Sequence, residues 1–209
     1  MMLRIPIVYP LTDKALTGLS HSEQVRRLAA GGATFIQLRE KYLSTKDFYA
    51  EAETALKVAR ELNVKLVIND RVDIALALEA DGVHLGQDDL SPEAARQLLG
   101  PGAIIGVSTH NLSQAIEASQ STADYVAFGP IFSTDTKSDT SPVVGLECLS
   151  TVREVVVEKP LVAIGGIDHS NATDVLRHGA DSVAVISCLL SQPDAISERT
   201  SQLMSVNQR

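Results

Sequence analysis

Short apolar runs alternate along this chain with longer segments whose apolar residues recur at helical spacing. The runs are Ile5–Leu11, Phe35–Leu38, Lys65–Ile68, Gly82–Leu85, Ile104–Val107, Tyr125–Phe128, Leu161–Ile164 and Ser182–Ile186. The intervening pattern predicts helices over Ser22–Ala30, Ser44–Leu62, Val72–Leu78, Ser113–Ser119 and Asn171–His178. Others are predicted after Ser91-Pro92-Glu93, from about Leu146, and within Pro193–Val206. Ser44 is a candidate N-cap, Pro92 suits a first helical position, and Gly31-Gly32, Gly100 and Gly179 are helix stops. The strands are continuously apolar, as expected for parallel strands covered on both faces. The joints Gly32-Ala33-Thr34, Ala80-Asp81-Gly82, Ala123-Asp124 and Gly179-Ala180-Asp181 look alike, which suits a repeating βα unit. The expected fold is an α/β (β/α)8 TIM barrel, one catalytic domain over residues 1–209. A doubly wound open sheet is the alternative, but it does not need eight units, and no G-x-G-x-x-G follows the first strand.

Composition narrows the function without choosing it. The 209 residues are 44% hydrophobic, enough for a sizeable core. A net charge of −8, no Trp and few aromatics argue against nucleic acid and anionic membranes as partners. An anionic small molecule needs only a local cationic pocket. No apolar run reaches membrane-spanning length, and a cytoplasmic protein is expected. Cys148 and Cys188 lie far apart and read as buried thiols. A homo-oligomer stays open, because no apolar stripe marks an interface.

The chemistry gathers just after the apolar runs, where a barrel carries its active site. Gln37, Arg39 and Lys41 follow the second run; Asn69, Asp70 and Arg71 the third; His84, Gln87, Asp88 and Asp89 the fourth. Ser108, Thr109 and His110 follow the fifth, Ser133 to Lys137 the sixth, Gly165-Gly166 the seventh and Ser187 the eighth. The opposite joints hold mainly turn residues. Arg39, Lys41 and Lys137 are suited to surround an anion, with Glu40 alternating away. Asp70 and Asp89 are two carboxylates of the kind that, with water and substrate phosphates, hold Mg2+. Gly165-Gly166 admits a phosphate to backbone N–H groups, and Ile186-Ser187 opens a short helix whose N-terminus favours an anion. Two anionic sites are therefore expected. His84 reads as a packing or hydrogen-bonding residue, and His110 as either a substrate contact or a helix start. His21, His169 and His178 read as surface or capping residues, and Cys188 as core.

The motifs Gln37-Leu38-Arg39-Glu40-Lys41, Asn69-Asp70, His84-Leu85-Gly86-Gln87-Asp88-Asp89, Gly106-Val107-Ser108, Gly129-Pro130-Ile131-Phe132, Thr134-Asp135-Thr136-Lys137 and Ala163-Ile164-Gly165-Gly166-Ile167 resemble the thiamine phosphate synthase family, from Tyr9 to about Leu190. The resemblance implies joining of a hydroxymethylpyrimidine diphosphate to a thiazole phosphate, releasing diphosphate. It implies that Gln37, Leu38, Arg39, Glu40, Lys41, Asn69, Ser108 and Lys137 hold the pyrimidine diphosphate, with Arg39, Lys41, Ser108 and Lys137 catalytic. It also implies Asp70 and Asp89 as Mg2+ ligands, and Thr134, Asp135, Thr136, Gly166, Ile186 and Ser187 as thiazole phosphate ligands. Ser133 and Ser138 depart from the Pro and Lys common in the family, and Pro10 is unusual in a first strand. Two other readings are a thiazole tautomerase-like isomerase and a non-catalytic thiazole phosphate-binding protein of the same fold. The full set of diphosphate-side residues favours the synthase.

Overall fold

The computed structural model of the chain describes residues 3–134 and 142–206. Its strands are β1 (Val8–Asp13), β2 (Phe35–Arg39), β3 (Lys65–Asn69), β4 (Gly82–Leu85), β5 (Ile104–Thr109), β6 (Tyr125–Phe128), β7 (Leu161–Ile164) and β8 (Ser182–Val185). They pair in parallel in chain order, and β8 returns to β1 to close the barrel. This is the expected (β/α)8 architecture; an open sheet is excluded. Nearly every strand residue is buried, which explains why the runs do not alternate.

The helices are α1 (Lys14–Thr17), α2 (His21–Ala30), α3 (Thr45–Glu61), α4 (Val72–Ala77), α5 (Pro92–Leu99), α6 (Leu112–Gln120), α7 (Gly145–Val155), α8 (Ala172–Arg177), α9 (Ser187–Leu190) and α10 (Ile196–Met204). Polar caps start several of them. Ser44 and Ser91 accept from Asp47 and Ala94 N–H, while Ser20 and Asn111 do the same for α2 and α6. Helix α2 ends through Gly32, at φ +101°, while Gly31 stays helical. Gly31 serves packing: a Cβ there would stand 2.5 Å from Ser197 O and Thr200 Cβ of α10.

Five strands differ from the apolar runs; β8 ends at Val185, one residue before its run does. Strand β1 starts at Val8 and runs to Asp13, and the short helix α1 follows it directly. Strands β2, β3 and β5 continue to Arg39, Asn69 and Thr109, because the ladder pairs Asp13 with Arg39, Asn69 with His84 and Thr109 with Phe128. Apolarity stops marking a strand where the barrel mouth turns polar. Pro10 is accommodated because β1 changes partner there: Val8–Pro10 pair with β8 and Leu11–Asp13 with β2.

The repeated Ala-Asp joints have a shared job at the N-terminal end of the barrel. Asp81, Asp124 and Asp181 accept the N–H of Leu66, Ile105 and Leu161 at 2.9, 2.8 and 2.8 Å. Each thereby ties the start of the preceding strand to its neighbour. Lys65, Arg96 and Arg153 neutralise them at 2.8, 2.7 and 2.7 Å.

Candidate active site

A cavity of about 1220 Å³ opens at the C-terminal ends of the strands. It is lined by Gln37, Arg39, Lys41, Asn69, Asp70, Asp89, Ser108, Thr134, Gly166, Ile186 and Ser187, which come from the ends of seven of the eight apolar runs. Two expected residues do not line it. Leu38 is wholly buried in the core, and Glu40 turns away to hold the β2–α3 loop. Asp135, Thr136 and Lys137 lie outside the described residues.

Of the cations expected to meet an anion, the two that are described, Arg39 and Lys41, each have an acid beside them. Arg39 Nη1 donates to Asp13 Oδ2 at 2.6 Å, with both side chains about nine-tenths buried. Its Nε is buried with no hydrogen-bond partner among the described residues, which leaves a donor for something else. Asp13 was not expected here; it also caps α1 by accepting Leu16 N–H. Lys41 pairs with Asp70, which also takes a hydrogen bond from Asn69 Nδ2.

Asp70 sits in the left-handed region at φ +63°, a conformation that aspartate tolerates but most residues do not. Asp89 Oδ2 accepts Gly86 N–H at 2.7 Å. Burial and the charge of Asp70 push the Asp89 carboxyl above its ordinary range, against the pull of the Gly86 N–H and Lys41. Two crowded carboxylates with one lysine between them leave a net negative charge, which a divalent cation relieves. Among the described residues no group of three or more His, Cys, Asp or Glu side chains is arranged for a metal. Two carboxylates could hold a hard cation such as Mg2+, which takes its remaining ligands from water and phosphate.

Glu40 belongs to a supporting chain of hydrogen bonds. Its Oε1 accepts N–H from Lys41, Tyr42 and Leu43, folding the loop that carries Lys41. Its Oε2 meets His21 Nε2 at 3.2 Å. His21 Nδ1 meets Thr12 Oγ1 at 2.8 Å, and Thr12 Oγ1 accepts Arg39 N–H at 3.2 Å. Burial lowers the His21 pKa and outweighs the opposing pull of Glu40, so the ring is neutral and the contact is a hydrogen bond. Burial works against ionisation of Glu40, but the Tyr42 N–H and the His21 bond bring its pKa below the ordinary value. The surface or capping role expected of His21 is thus corrected: it is fully buried.

Across the cavity, Gly165 and Gly166 both take positive φ, +103° and +64°. A Cβ on Gly166 would stand 2.5 Å from Ser133 O, so the turn admits no larger residue. Helix α9 begins at Ser187 with no side-chain cap, leaving its first N–H groups without a side-chain acceptor. Cys188 lines this part of the cavity half-buried, which corrects its assignment to the core, and Cys148 is likewise half-buried. Burial raises the Cys188 thiol to about 11, an unreactive value. His169 also lines the cavity and contacts Arg199 O at 3.1 Å, so it too is more than a surface residue. His178 is the C-cap of α8, in line with the capping reading.

Several lining residues went unselected. His84 and His110 stood at strand ends but had no chemical pattern to mark a role. His84 bonds Tyr125 and Ser108, and His110 Nδ1 meets Gly129 O at 2.6 Å. Gln87 Nε2 donates to Ser108 O at 2.6 Å. Arg199 reaches the cavity from α10, a placement made by tertiary packing that no local signal carries.

A family model described as thiamine monophosphate synthase matches residues 8–189. The chain is 45% identical over 204 residues to the thiamine-phosphate synthase of Chloroflexus aurantiacus, covering 96% of this chain and 94% of that one. It is 47% identical over 188 residues to that of Clostridium novyi, covering 90% and 92%. The solved thiamine phosphate pyrophosphorylase from Pyrococcus furiosus superposes with a TM-score of 0.84 at 40% identity, covering 95% of this chain and 94% of that one. Among the described residues no helix is long and apolar enough to cross a membrane.

Proposed function

The chain belongs to the thiamine monophosphate synthase family, and from that premise we propose that this transferase joins a pyrimidinylmethyl diphosphate to a methylthiazole phosphate, giving thiamine phosphate and diphosphate. The observation that carries this reading is the composition of one cavity. Arg39, Lys41, Asn69, Asp70, Asp89 and Ser108 line it from the ends of β2 to β5; Thr134, Gly166, Ile186 and Ser187 line it from those of β6 to β8. Two anionic substrates with reacting ends that must meet need such a paired arrangement.

In this reading the pyrimidine C–O bond breaks first, and its electron pair leaves with diphosphate. The ring-stabilised cation is then attacked by the thiazole nitrogen lone pair. That nitrogen carries no proton, so no base is needed for bond formation. The protein acts by positioning and by stabilising charge on the leaving group. Arg39, with its unpartnered Nε, and Lys41 face the diphosphate, and Lys137 joins them. Gln37, Asn69 and Ser108 orient the pyrimidine, with the backbone of Leu38 and Glu40 carrying the two cations into place. Asp70 and Asp89 would hold one or more Mg2+ ions, which neutralise the departing diphosphate when bound. The Gly165-Gly166 turn and the open start of α9, with Thr134, Asp135, Thr136 and Ser187, hold the thiazole phosphate. A cytoplasmic location goes with small-molecule partners of this kind.

The test is to mix both substrates with and without Mg2+ and measure thiamine phosphate and diphosphate together. Equal amounts of the two products, only with Mg2+, are expected. Isomerisation of the thiazole phosphate alone would favour the tautomerase reading, and binding without diphosphate release the non-catalytic one. Lys137→Ala is expected to lower kcat more than it weakens thiazole phosphate binding; an unchanged kcat would remove its role.

A further inference from the structure

A line of buried side chains crosses the barrel interior, and only its two ends, Gln37 and Ser108, have a part in the chemistry above. Gln37 Nε2 lies 3.0 Å from Tyr9 Oη, and Tyr9 Oη 2.9 Å from Tyr125 Oη. Tyr125 Oη lies 2.8 Å from His84 Nδ1, and His84 Nε2 2.9 Å from Ser108 Oγ. The barrel makes room for this line. A Cβ on Gly106 would stand 2.0 Å from Tyr125 Cζ, so β5 leaves a gap that the tyrosine ring fills. His84 stacks on that ring with an interplanar angle of 25°.

Counting donors gives the line a direction. The Gln37 amide nitrogen only donates, so Tyr9 Oη accepts there and has its own proton to give. The acceptor in reach is Tyr125 Oη. Tyr125 then gives its proton to His84 Nδ1, which must be bare. A neutral imidazole carries one proton, so it sits on Nε2 and is donated to Ser108 Oγ. The opposite direction would point a buried tyrosine proton at the Gln37 nitrogen, leaving it unsatisfied. Burial raises both phenols above their ordinary value, so each keeps its proton.

We infer that Gln37, Tyr9 and Tyr125 lock the tautomer of His84, and that the lock turns the Ser108 hydroxyl into a donor aimed at the cavity. With His84 N–H supplied to its oxygen, Ser108 no longer gives its proton to the ring and offers it to a substrate lone pair. Under the function proposed above, on which this clause rests, that acceptor is a ring nitrogen of the aminopyrimidine. Tyr9, Tyr125 and His84 are positioning residues that act through Ser108, which alone of the four touches substrate. Matching a donor to one lone pair discriminates strongly against an analogue that lacks it, because the buried donor is then left unpaired.

Proton–nitrogen correlation spectroscopy on the full chain with isotope-labelled histidine reads the lock directly, without substrates. His84 is assigned by the signal lost in His84→Gln. A proton on Nε2 with a bare Nδ1 is expected; a proton on Nδ1, or on both nitrogens, overturns the inference. The kinetic counterpart is a cycle of Tyr125→Phe, Ser108→Ala and the double variant. Tyr125→Phe alone is expected to lower kcat/KM about tenfold, the value of one lost hydrogen bond. It should cost little more once Ser108 is already Ala. Losses that multiply would mean that Tyr125 only packs, and would also overturn it. If Tyr125→Phe does not fold, the wild-type spectrum decides alone. If the wild-type chain makes no thiamine phosphate, the functional reading falls while the tautomer result stands.

Discussion

At the N-terminal end of the barrel, Asp81, Asp124 and Asp181 each accept a strand N–H and each face a lysine or arginine. At the C-terminal end, Asp70 and Asp89 crowd each other and rely on Lys41. The same residue type thus does opposite work at the two ends. The first three are satisfied and hold neighbouring strands together. In the second pair, burial and like charge raise the Asp89 pKa, so its ionised form at neutral pH works against folding. A fold keeps such a pair when the pair has something to bind.

The largest test of this contrast is kinetic. Asp70→Ala with Asp89→Ala is expected to lower kcat by at least about a hundredfold, the scale of losing charge stabilisation in a preorganised site. Wild-type turnover in that double variant would refute the metal assignment. At the other end, Asp124→Ala is expected to lower unfolding stability by about 2 kcal/mol, for the lost bonds to a charged acceptor. The half-exposed ion pair with Arg96 adds little to that. Urea titration measures the loss, and kcat/KM should stay within about twofold of wild type. A large kinetic defect there would blur the two ends.

A smaller effect is expected in the pH dependence of stability. His21 has a native pKa below its ordinary 6.5, so the unfolded chain takes up that proton first. Its contribution is complete above pH 6.5 and is lost as pH falls below it. Glu40 has a native pKa below 4.5; its contribution is complete above that value and is lost as pH falls through the native one. The urea midpoint should therefore fall between about pH 7 and about pH 5, with a further fall at stronger acid. His21→Gln should flatten the upper part of the slope most and the lower part less, because the Tyr42 and Leu43 N–H bonds to Glu40 remain when the His21 bond is lost. An unchanged upper slope would show that His21 does not supply it.

How much of this was legible in the sequence follows from what each residue must satisfy. The eight strands were legible because burial on both faces demands continuous apolarity. Their upper ends were not: Arg39, Asn69 and Thr109 remain in the ladder although they are polar. Most of the cavity was legible because strand ends converge in a closed barrel. Asp13 was missed because the first apolar run ends at Leu11, before the strand does. Glu40 alternates away from the cavity as expected, but its three backbone bonds depend on how the loop folds back. Tyr9 and Tyr125 read only as core, since nothing local shows that two tyrosines 116 residues apart share a hydrogen bond.

The contrast between the ends can be put in one measurement. Thermal unfolding of the wild type, Asp89→Asn and Asp124→Asn would be followed without metal and then with Mg2+ and diphosphate. The Asn side chain keeps an oxygen for Gly86 N–H while removing the charge. Without metal, Asp89→Asn should melt at or above the wild type and Asp124→Asn below it. With Mg2+ and diphosphate, the wild type and Asp124→Asn should both rise in Tm, while Asp89→Asn loses most of that rise. An Asp89→Asn variant that is destabilised like Asp124→Asn, or that keeps the full Mg2+ response, would contradict the account.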